Sequence, residues 1–118
     1  MTFSPLRTTS LLLALAMVLA GSQPGLAASK KTMLREGHAL AAARCGRCHA
    51  VELTGNSPFR AAPPFRTLGQ HYPIESLEEA LAEGIFAGHP AMPSAPWTPD
   101  EIKRLIGYLK SINPKPHH

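Results

Sequence analysis

The chain has 118 residues, which is enough for one domain, and 44% of them are apolar. It carries 12 basic and 8 acidic residues, a formal net charge of +4 at pH 7 with neutral histidines. The basic residues are scattered rather than clustered, a pattern that speaks against a nucleic-acid-binding protein.

The N-terminal segment has the pattern of a secretory signal peptide. Arg7 gives a basic start, residues 11–20 form an uninterrupted apolar run, and small residues lead to Ala27 and Ala28. The apolar run is shorter than the roughly 20 residues of a membrane-spanning helix. This favours cleavage after Ala27 or Ala28 over an uncleaved membrane anchor.

We therefore predict a signal peptide over residues 1–27 and an exported domain over residues 28–118, with no stable membrane insertion after cleavage. The mature domain would have 91 residues, 11 of them basic and 8 acidic. A domain of this size buries little surface on folding and usually needs an additional cross-link or cofactor for stability.

The first predicted helix spans residues 29–44. Ser29 or Thr32 can cap its start, and strong helix formers fill residues 39–43. Gly37 interrupts its interior at a cost of about 1 kcal/mol relative to alanine. The glycine either lies on the surface or allows another helix to approach closely, and we predict the close approach.

The only two cysteines of the chain follow this helix, in the sequence Cys45-Gly46-Arg47-Cys48-His49. This C-x-x-C-H pattern is typical of a covalent attachment site for a c-type haem, in which the thiols form thioethers and the imidazole binds the iron. The alternative is a redox dithiol, but such a motif usually follows a strand, and no strand pattern precedes Cys45. Arg44 and Arg47 are either solvated charges or part of a docking surface for an acidic partner.

Residues 50–68 are rich in proline and glycine and lack a helical period, so we predict a long loop packed on the haem. Phe59, Phe65 and Leu68 are its expected apolar anchors. One proline carbonyl of this loop can accept a hydrogen bond from the second ring nitrogen of His49, because iron-bound imidazoles usually have such a partner.

The second predicted helix begins at Pro73 or Ser76 and ends at Glu83, with Gly84 as the stop signal. Ser76 and Glu79 match the capping-box pattern. The expected buried stripe consists of Ile74, Leu77, Leu81 and Ile85.

The chemistry of the haem depends on the iron ligand opposite His49. Met92 lies between prolines in an extended segment, far enough along the chain to reach the other face of the haem. Met33, His71 and His89 are the rival candidates, and we prefer Met92. A thioether ligand raises the reduction potential and blocks small ligands, which suits electron transfer.

The last predicted helix has the clearest signals. Thr98 is the expected N-cap, Pro99 the first helical residue and Glu101 the capping-box partner. Apolar residues recur at helical spacing as far as Ile112, and Asn113 with the following proline ends the helix. The predicted fold class is therefore all-α, with three to four short helices and long loops around one covalently attached haem.

The mature chain resembles a class I c-type cytochrome over essentially its whole length. The matching residues are Gly37, Cys45-x-x-Cys48-His49, Ala62-Pro63-Pro64-Phe65, Gly88-His89-Pro90-Ala91-Met92-Pro93 and Leu105-Ile106-Gly107-Tyr108-Leu109. The resemblance implies that Cys45 and Cys48 anchor one haem c, with His49 as the proximal iron ligand and Met92 as the distal one. It also implies that Gly37 packs against the last helix, facing Tyr108 or Leu105.

The resemblance further implies a haem pocket that includes Pro63 and Trp97. Pro63 fits the family's loop proline better than Pro64 does. The implied function is electron transfer in the periplasm by a monomer or a subunit of a complex, with an oxidase, a reductase or a dehydrogenase as redox partner, and no catalytic residue is expected. The alternatives are a haem subunit of a periplasmic dehydrogenase complex and a ligand-binding or peroxidatic haem protein whose methionine ligand is labile.

Overall fold

The computed structural model describes Met1 and residues 24–84 and 96–114. These residues form three α-helices, α1 (Pro24–Cys45), α2 (Ser76–Glu83) and α3 (Pro99–Ile112), and one 3-10 helix (Phe65–Gln70). The described part of the chain contains no strand, which confirms the predicted all-α fold class. None of the helices in this part is both long and apolar enough to cross a membrane.

Helix α3 supplies more of the buried apolar residues than any other helix of the described chain, and it packs chiefly against α1. Its start has the predicted chemistry: Thr98 and Glu101 form a reciprocal capping box, and Pro99 is the first helical residue. The buried residues of α3 recur at spacings of three and four, which places them on one face of the helix. They are Ile102, Leu105, Ile106, Tyr108, Leu109 and Ile112.

The contact between α1 and α3 depends on Gly37. A Cβ atom built on Gly37 would overlap the carbonyl oxygen of Arg104 and lie 2.8 Å from the Cβ of Tyr108. The two helices therefore approach too closely for any side chain at this position, which confirms the predicted role of the glycine. One turn later Ala41 is completely buried.

The predicted bounds of α1 were too narrow. The helix begins at Pro24 rather than residue 29 and ends at Cys45 rather than residue 44, so neither Ser29 nor Thr32 is its N-cap. Proline suits the first turn of a helix, because its fixed φ is helical and its missing N–H would have no partner there. Helix α1 therefore includes residues that the sequence assigns to the end of the signal peptide.

Helix α2 has the predicted extent, and Gly84 ends it in the left-handed conformation with φ 68°. The predicted capping box of Ser76 and Glu79 is wrong. Glu75 is the N-cap residue, its backbone is already helical, and no side chain caps this end. Of the predicted stripe, Ile74 and Leu81 are buried and Leu77 is partly buried, while Ile85 lies outside the described residues.

The loop after the cysteine motif contains a 3-10 helix that the sequence did not predict. Phe65 and Leu68 lie on it and are buried as expected, but Phe59 is 48% exposed and is not an apolar anchor. The Asn113 side chain joins this helix to the end of α3, because its amide nitrogen donates to the Phe65 carbonyl at 2.8 Å and its oxygen accepts from the Gly69 N–H at 2.9 Å.

Candidate haem-attachment site

One turn of backbone positions both thiols and the imidazole. Cys45 is the last residue of α1, and its carbonyl accepts hydrogen bonds from the N–H groups of Cys48 at 3.0 Å and His49 at 2.9 Å. Gly46 is required inside this turn, since a Cβ atom there would lie 2.5 Å from the Ala42 carbonyl oxygen. The three groups that haem attachment needs therefore lie within one compact turn.

The two thiols have different environments and are not joined by a disulfide. Cys45 is buried, and this burial raises the pKa of its thiol to about 11, against a smaller opposing effect of the Arg44 charge. A redox dithiol needs a cysteine of lowered pKa, commonly at a helix N-terminus. Cys45 lies instead at the C-terminal end of α1, where the helix dipole disfavours a thiolate. The geometry therefore speaks against the dithiol alternative.

The His49 ring is held in one orientation. Its Nδ1 lies 2.8 Å from the carbonyl oxygen of Pro63, and its ring centroid lies 5.0 Å from that of Phe65. A carbonyl oxygen only accepts hydrogen bonds, so the proton resides on Nδ1 and the lone pair of Nε2 is available to a metal. The neighbouring Pro64 carbonyl accepts instead from Thr67, through the backbone N–H at 3.0 Å and the hydroxyl at 2.8 Å.

The surroundings of the turn suit a large apolar group. Cys45 belongs to one cluster of buried apolar side chains together with Phe65 and Leu68, and Tyr72 and Trp97 pack against that cluster. Among the described residues no polar or charged side chain is buried, so none would be left without a partner beside a haem. The residues present therefore fit a covalently attached haem.

Of the candidates for the opposite axial position, the described residues include only two. Met33 lies on α1 with its side chain against α3, since its Cε would be 3.0 Å from a Cβ atom built on Gly107. His71 is exposed. Met92 and His89 both lie outside the described residues.

Arg44 makes contacts that sequence reasoning missed. Its guanidinium lies 4.3 Å from the ring centroid of Trp97, donates to the Pro96 carbonyl at 3.1 Å and pairs with Glu101 at 3.4 Å. The sequence suggested a solvated charge or a docking residue here. A separation of 52 residues between Arg44 and Pro96 leaves no local pattern from which this contact could be predicted.

Comparison with known proteins agrees with this site. The family model described as Cytochrome c matches residues 34–113, well over half of the chain. The chain belongs to the cytochrome c family. Membership implies one covalently bound haem c, and Cys45 and Cys48 are present in the C-x-x-C-H arrangement that such attachment uses.

A curated relative of this cytochrome c chain is the Cbb3-type cytochrome c oxidase subunit CcoP of Rubrivivax gelatinosus. The two are 28% identical over 100 residues, which is 82% of this chain and 32% of the relative. The chain thus spans about a third of the length of that subunit. No solved structure matches the chain significantly.

Proposed function

We propose that this chain is an exported monohaem c-type cytochrome that carries single electrons between protein partners and is not itself an enzyme. His49 and Met92 are the proposed axial ligands, and the periplasm is the proposed compartment. The observation that carries the proposal is the hydrogen bond between His49 Nδ1 and the Pro63 carbonyl, beside two free thiols on the same turn.

When bound, haem c supplies an iron that alternates between Fe(III) and Fe(II). The chain's own residues hold and tune that group. Cys45 and Cys48 would fix it through thioethers, and His49 would bind through Nε2. The Pro63 carbonyl prevents rotation of the imidazole and raises its basicity as a ligand. Phe65 packs beside the His49 ring, with the two ring centroids 5.0 Å apart.

Met92 would be the second protein ligand of the haem iron. A thioether ligand stabilises the reduced state and excludes small molecules. One electron can then be taken up or released without a change of ligands. The place of Met92 between prolines, 43 residues after His49, supports this role because proline restricts the backbone on either side. The Trp97 indole, partly buried against the core just after this segment, is a proposed pocket residue.

The charge distribution supports an acidic docking partner. Residues 24–68 contain seven basic and two acidic residues, whereas residues 69–84 and 96–114 contain three basic and six acidic ones. Of its two acids, Glu36 pairs with Arg104, and the Glu52 carboxylate lies 2.6 Å from Nε2 of His38, an imidazole that carries a charge only when it is protonated. The segment that carries the attachment turn, residues 24–68, therefore has an excess of five basic residues. An excess of positive charge near the turn would increase the rate of encounter with an acidic surface.

Three exposed residues of this segment lie beside Cys48. Arg47 lies within the motif, Phe59 donates its N–H to the Cys48 carbonyl at 3.1 Å, and Arg60 follows it. Within the described residues neither arginine has an ion-pair partner. We call Arg47, Phe59 and Arg60 the attachment face, and propose it as the contact surface for the electron donor or acceptor.

A second candidate function is that of a haem subunit within a larger redox complex. The similarity to CcoP favours it, since that protein is a subunit of an oxidase. In this case the attachment face would contact a permanent neighbour instead of a transient one. Co-purification of the full chain with a stoichiometric partner would support the subunit, and isolation as a monomer would support the free carrier.

The proposal is tested by producing the full chain in a bacterium that has haem-attachment machinery. We expect one haem that stays on the polypeptide in a denaturing gel, and a reversible titration that fits a single one-electron step. Replacing both Cys45 and Cys48 by alanine should abolish the covalent haem. A wild-type protein without covalent haem would refute the cytochrome assignment, and rapid peroxide turnover would favour the peroxidatic alternative.

A further inference from the structure

We infer that Ser57 is a positioning residue for the His49 imidazole. Its hydroxyl holds the peptide group that follows His49 and so keeps the ring on the Pro63 carbonyl. This inference rests on the proposed function, because it concerns the strength of His49 as a ligand of the haem iron. It does not depend on which residue binds the opposite face of the haem.

The Ser57 hydroxyl binds the backbone directly after His49. Its oxygen accepts a hydrogen bond from the Ala50 N–H at 3.0 Å. Ala50 is buried and belongs to no helix, so its N–H needs a partner from outside regular secondary structure. A buried N–H without a partner is costly. The hydroxyl therefore fixes the orientation of the peptide group between His49 and Ala50.

The other polar group of the Ala50 backbone is tied to the proline loop. The Ala50 carbonyl accepts from the Phe65 N–H at 2.9 Å, and Phe65 lies two residues after Pro63. The His49 side chain reaches the same short segment, since its Nδ1 lies 2.8 Å from the Pro63 carbonyl oxygen. Two hydrogen bonds therefore join the end of the attachment turn to the proline loop. Because Ala50 makes one of them and directly follows His49, movement of Ala50 would disturb both.

The place of Ser57 in the loop suits this role. Every residue from 52 to 61 is exposed except Ser57, which is half-buried. Pro58 follows it, and a proline restricts the preceding residue to extended conformations. The next residue, Phe59, donates its N–H to the Cys48 carbonyl at 3.1 Å. The hydroxyl therefore approaches the backbone from a segment that is itself anchored to the attachment turn.

The hydrogen bond from Nδ1 of His49 raises the basicity of the imidazole as a ligand. A more basic ligand stabilises Fe(III) relative to Fe(II), and hydrogen bonding to a ligand is one means by which a protein sets the potential of a haem. Loss of the Ser57 hydroxyl would leave the Ala50 N–H without its partner and lower the population in which the ring meets Pro63. The reduction potential would therefore rise.

The test compares the reduction potentials of haem-loaded wild type, Ser57→Ala and Ser57→Thr. We expect Ser57→Ala to shift the equilibrium about threefold toward Fe(II), which is a rise of about 30 mV for a one-electron couple. Ser57→Thr keeps the acceptor oxygen and should have the wild-type potential. A Ser57→Ala potential equal to or below that of wild type would overturn the inference, even in a less stable protein, because it would show a purely structural role.

The absorption spectrum tests whether the shift arises on the His49 side of the haem. A methionine ligand gives an oxidised c-type haem a weak far-red absorption band. Neither substitution at Ser57 should change this region of the spectrum. A changed band in Ser57→Ala would place the effect at the opposite face and would overturn the inference.

Exchange of the His49 Nδ1 proton with solvent, followed by NMR in the reduced protein, measures the same hydrogen bond directly. We expect about tenfold faster exchange in Ser57→Ala than in wild type, because the ring leaves the carbonyl more often. Ser111→Ala is the matched control, since it removes a serine hydroxyl that donates to the Tyr108 carbonyl at 2.6 Å on α3. Its exchange rate and potential should equal those of wild type. Equal acceleration in both serine variants would show a general loss of stability and overturn the inference.

Two further outcomes separate this inference from the proposed function. A wild-type protein without covalent haem would refute the proposed function and the role of Ser57 with it. A haem-loaded wild type together with an unchanged potential and exchange rate in Ser57→Ala would refute the role of Ser57 alone. If Ser57→Ala takes up no haem, Pro58→Ala frees the Ser57 backbone but keeps the hydroxyl. Exchange of the His49 proton no faster than in wild type would then refute the inference.

Discussion

At the scale of single residues, the hydrogen bond from His49 to Pro63 places the ring proton on Nδ1 and leaves the lone pair of Nε2 available to a metal. Sequence reasoning could predict that a loop carbonyl would serve this purpose, because metal-bound imidazoles need a second partner. It could not decide firmly between Pro63 and Pro64. Consecutive carbonyls in an extended segment point in different directions, and only the folded loop determines which one meets the ring.

Glu101 gives a prediction about pH at the same scale. Hydrogen bonds from Thr98, with the backbone N–H foremost, and the charges of Arg44 and Arg104 hold the pKa of Glu101 below its ordinary value of 4.5. A carboxyl whose pKa is lowered on folding stabilises the fold above its ordinary pKa, and this stabilisation disappears as the pH falls through the folded value. We expect the stability advantage of wild type over Glu101→Gln to be constant near neutral pH and to shrink below pH 4.5.

Denaturant unfolding of the two haem-loaded proteins at several pH values measures this effect. Asp100→Asn is the matched control, since it removes a neighbouring carboxylate that makes neither the cap nor the Arg44 contact. A wild-type advantage over Glu101→Gln that does not change with pH would contradict the assigned role.

At the scale of elements, local chemistry explains which helix ends were predictable. The start of α3 was predicted in full, because a capping box and a proline at the first position act within four residues. The same pattern failed at α2, where Glu75 is already helical and takes the N-cap position from Ser76. The start of α1 at Pro24 was not predicted, because the sequence around Pro24 also fits the end of a signal peptide.

The close contact between α1 and α3 gives a prediction about Gly37. Alanine has the higher helix propensity by about 1 kcal/mol. Its Cβ would nevertheless overlap the Arg104 carbonyl oxygen, a backbone atom that cannot move without moving α3. We expect Gly37→Ala to lower the free energy of unfolding by about 2 kcal/mol or more.

Gly107→Ala is the control for this prediction. A Cβ at Gly107 meets only the end of the flexible Met33 side chain, with the Cε at 3.0 Å. The change in stability should therefore stay within about 1 kcal/mol, with the propensity gain offsetting the contact. Equal destabilisation by the two alanines would show that the steric account of Gly37 is wrong.

At the scale of the whole molecule, the order of motifs along the chain was enough to predict an all-α haem protein. The hydrogen bonds that join distant parts of the chain were not predictable, because their partners lie far apart in sequence. Asn113 reaches Phe65 across 48 residues, and Tyr108 donates its hydroxyl proton to the Val51 carbonyl across 57. The distribution of charged residues indicates a docking surface only when the fold shows which of them form ion pairs.

The excess of basic residues in the segment 24–68 gives a prediction about electron exchange. We expect Arg47→Glu to slow oxidation of the reduced protein by ferricyanide, an anion, by about three- to tenfold at low ionic strength. The effect should fade in high salt, because the added ions screen the field. Lys103→Glu makes the same charge change on α3, outside the attachment face, and should have a smaller effect. An equal effect of both variants would indicate a response to net charge alone, without a local attachment face.

The central claim is that His49 and Met92 bind one haem iron from opposite sides. The most direct test compares the far-red band and the reduction potential of wild type, Met92→Ala and His89→Ala. We predict that the wild-type band persists in His89→Ala and disappears in Met92→Ala, whose potential falls because the reduced state loses its thioether ligand. A Met92→Ala protein with the spectrum and potential of wild type would contradict the account.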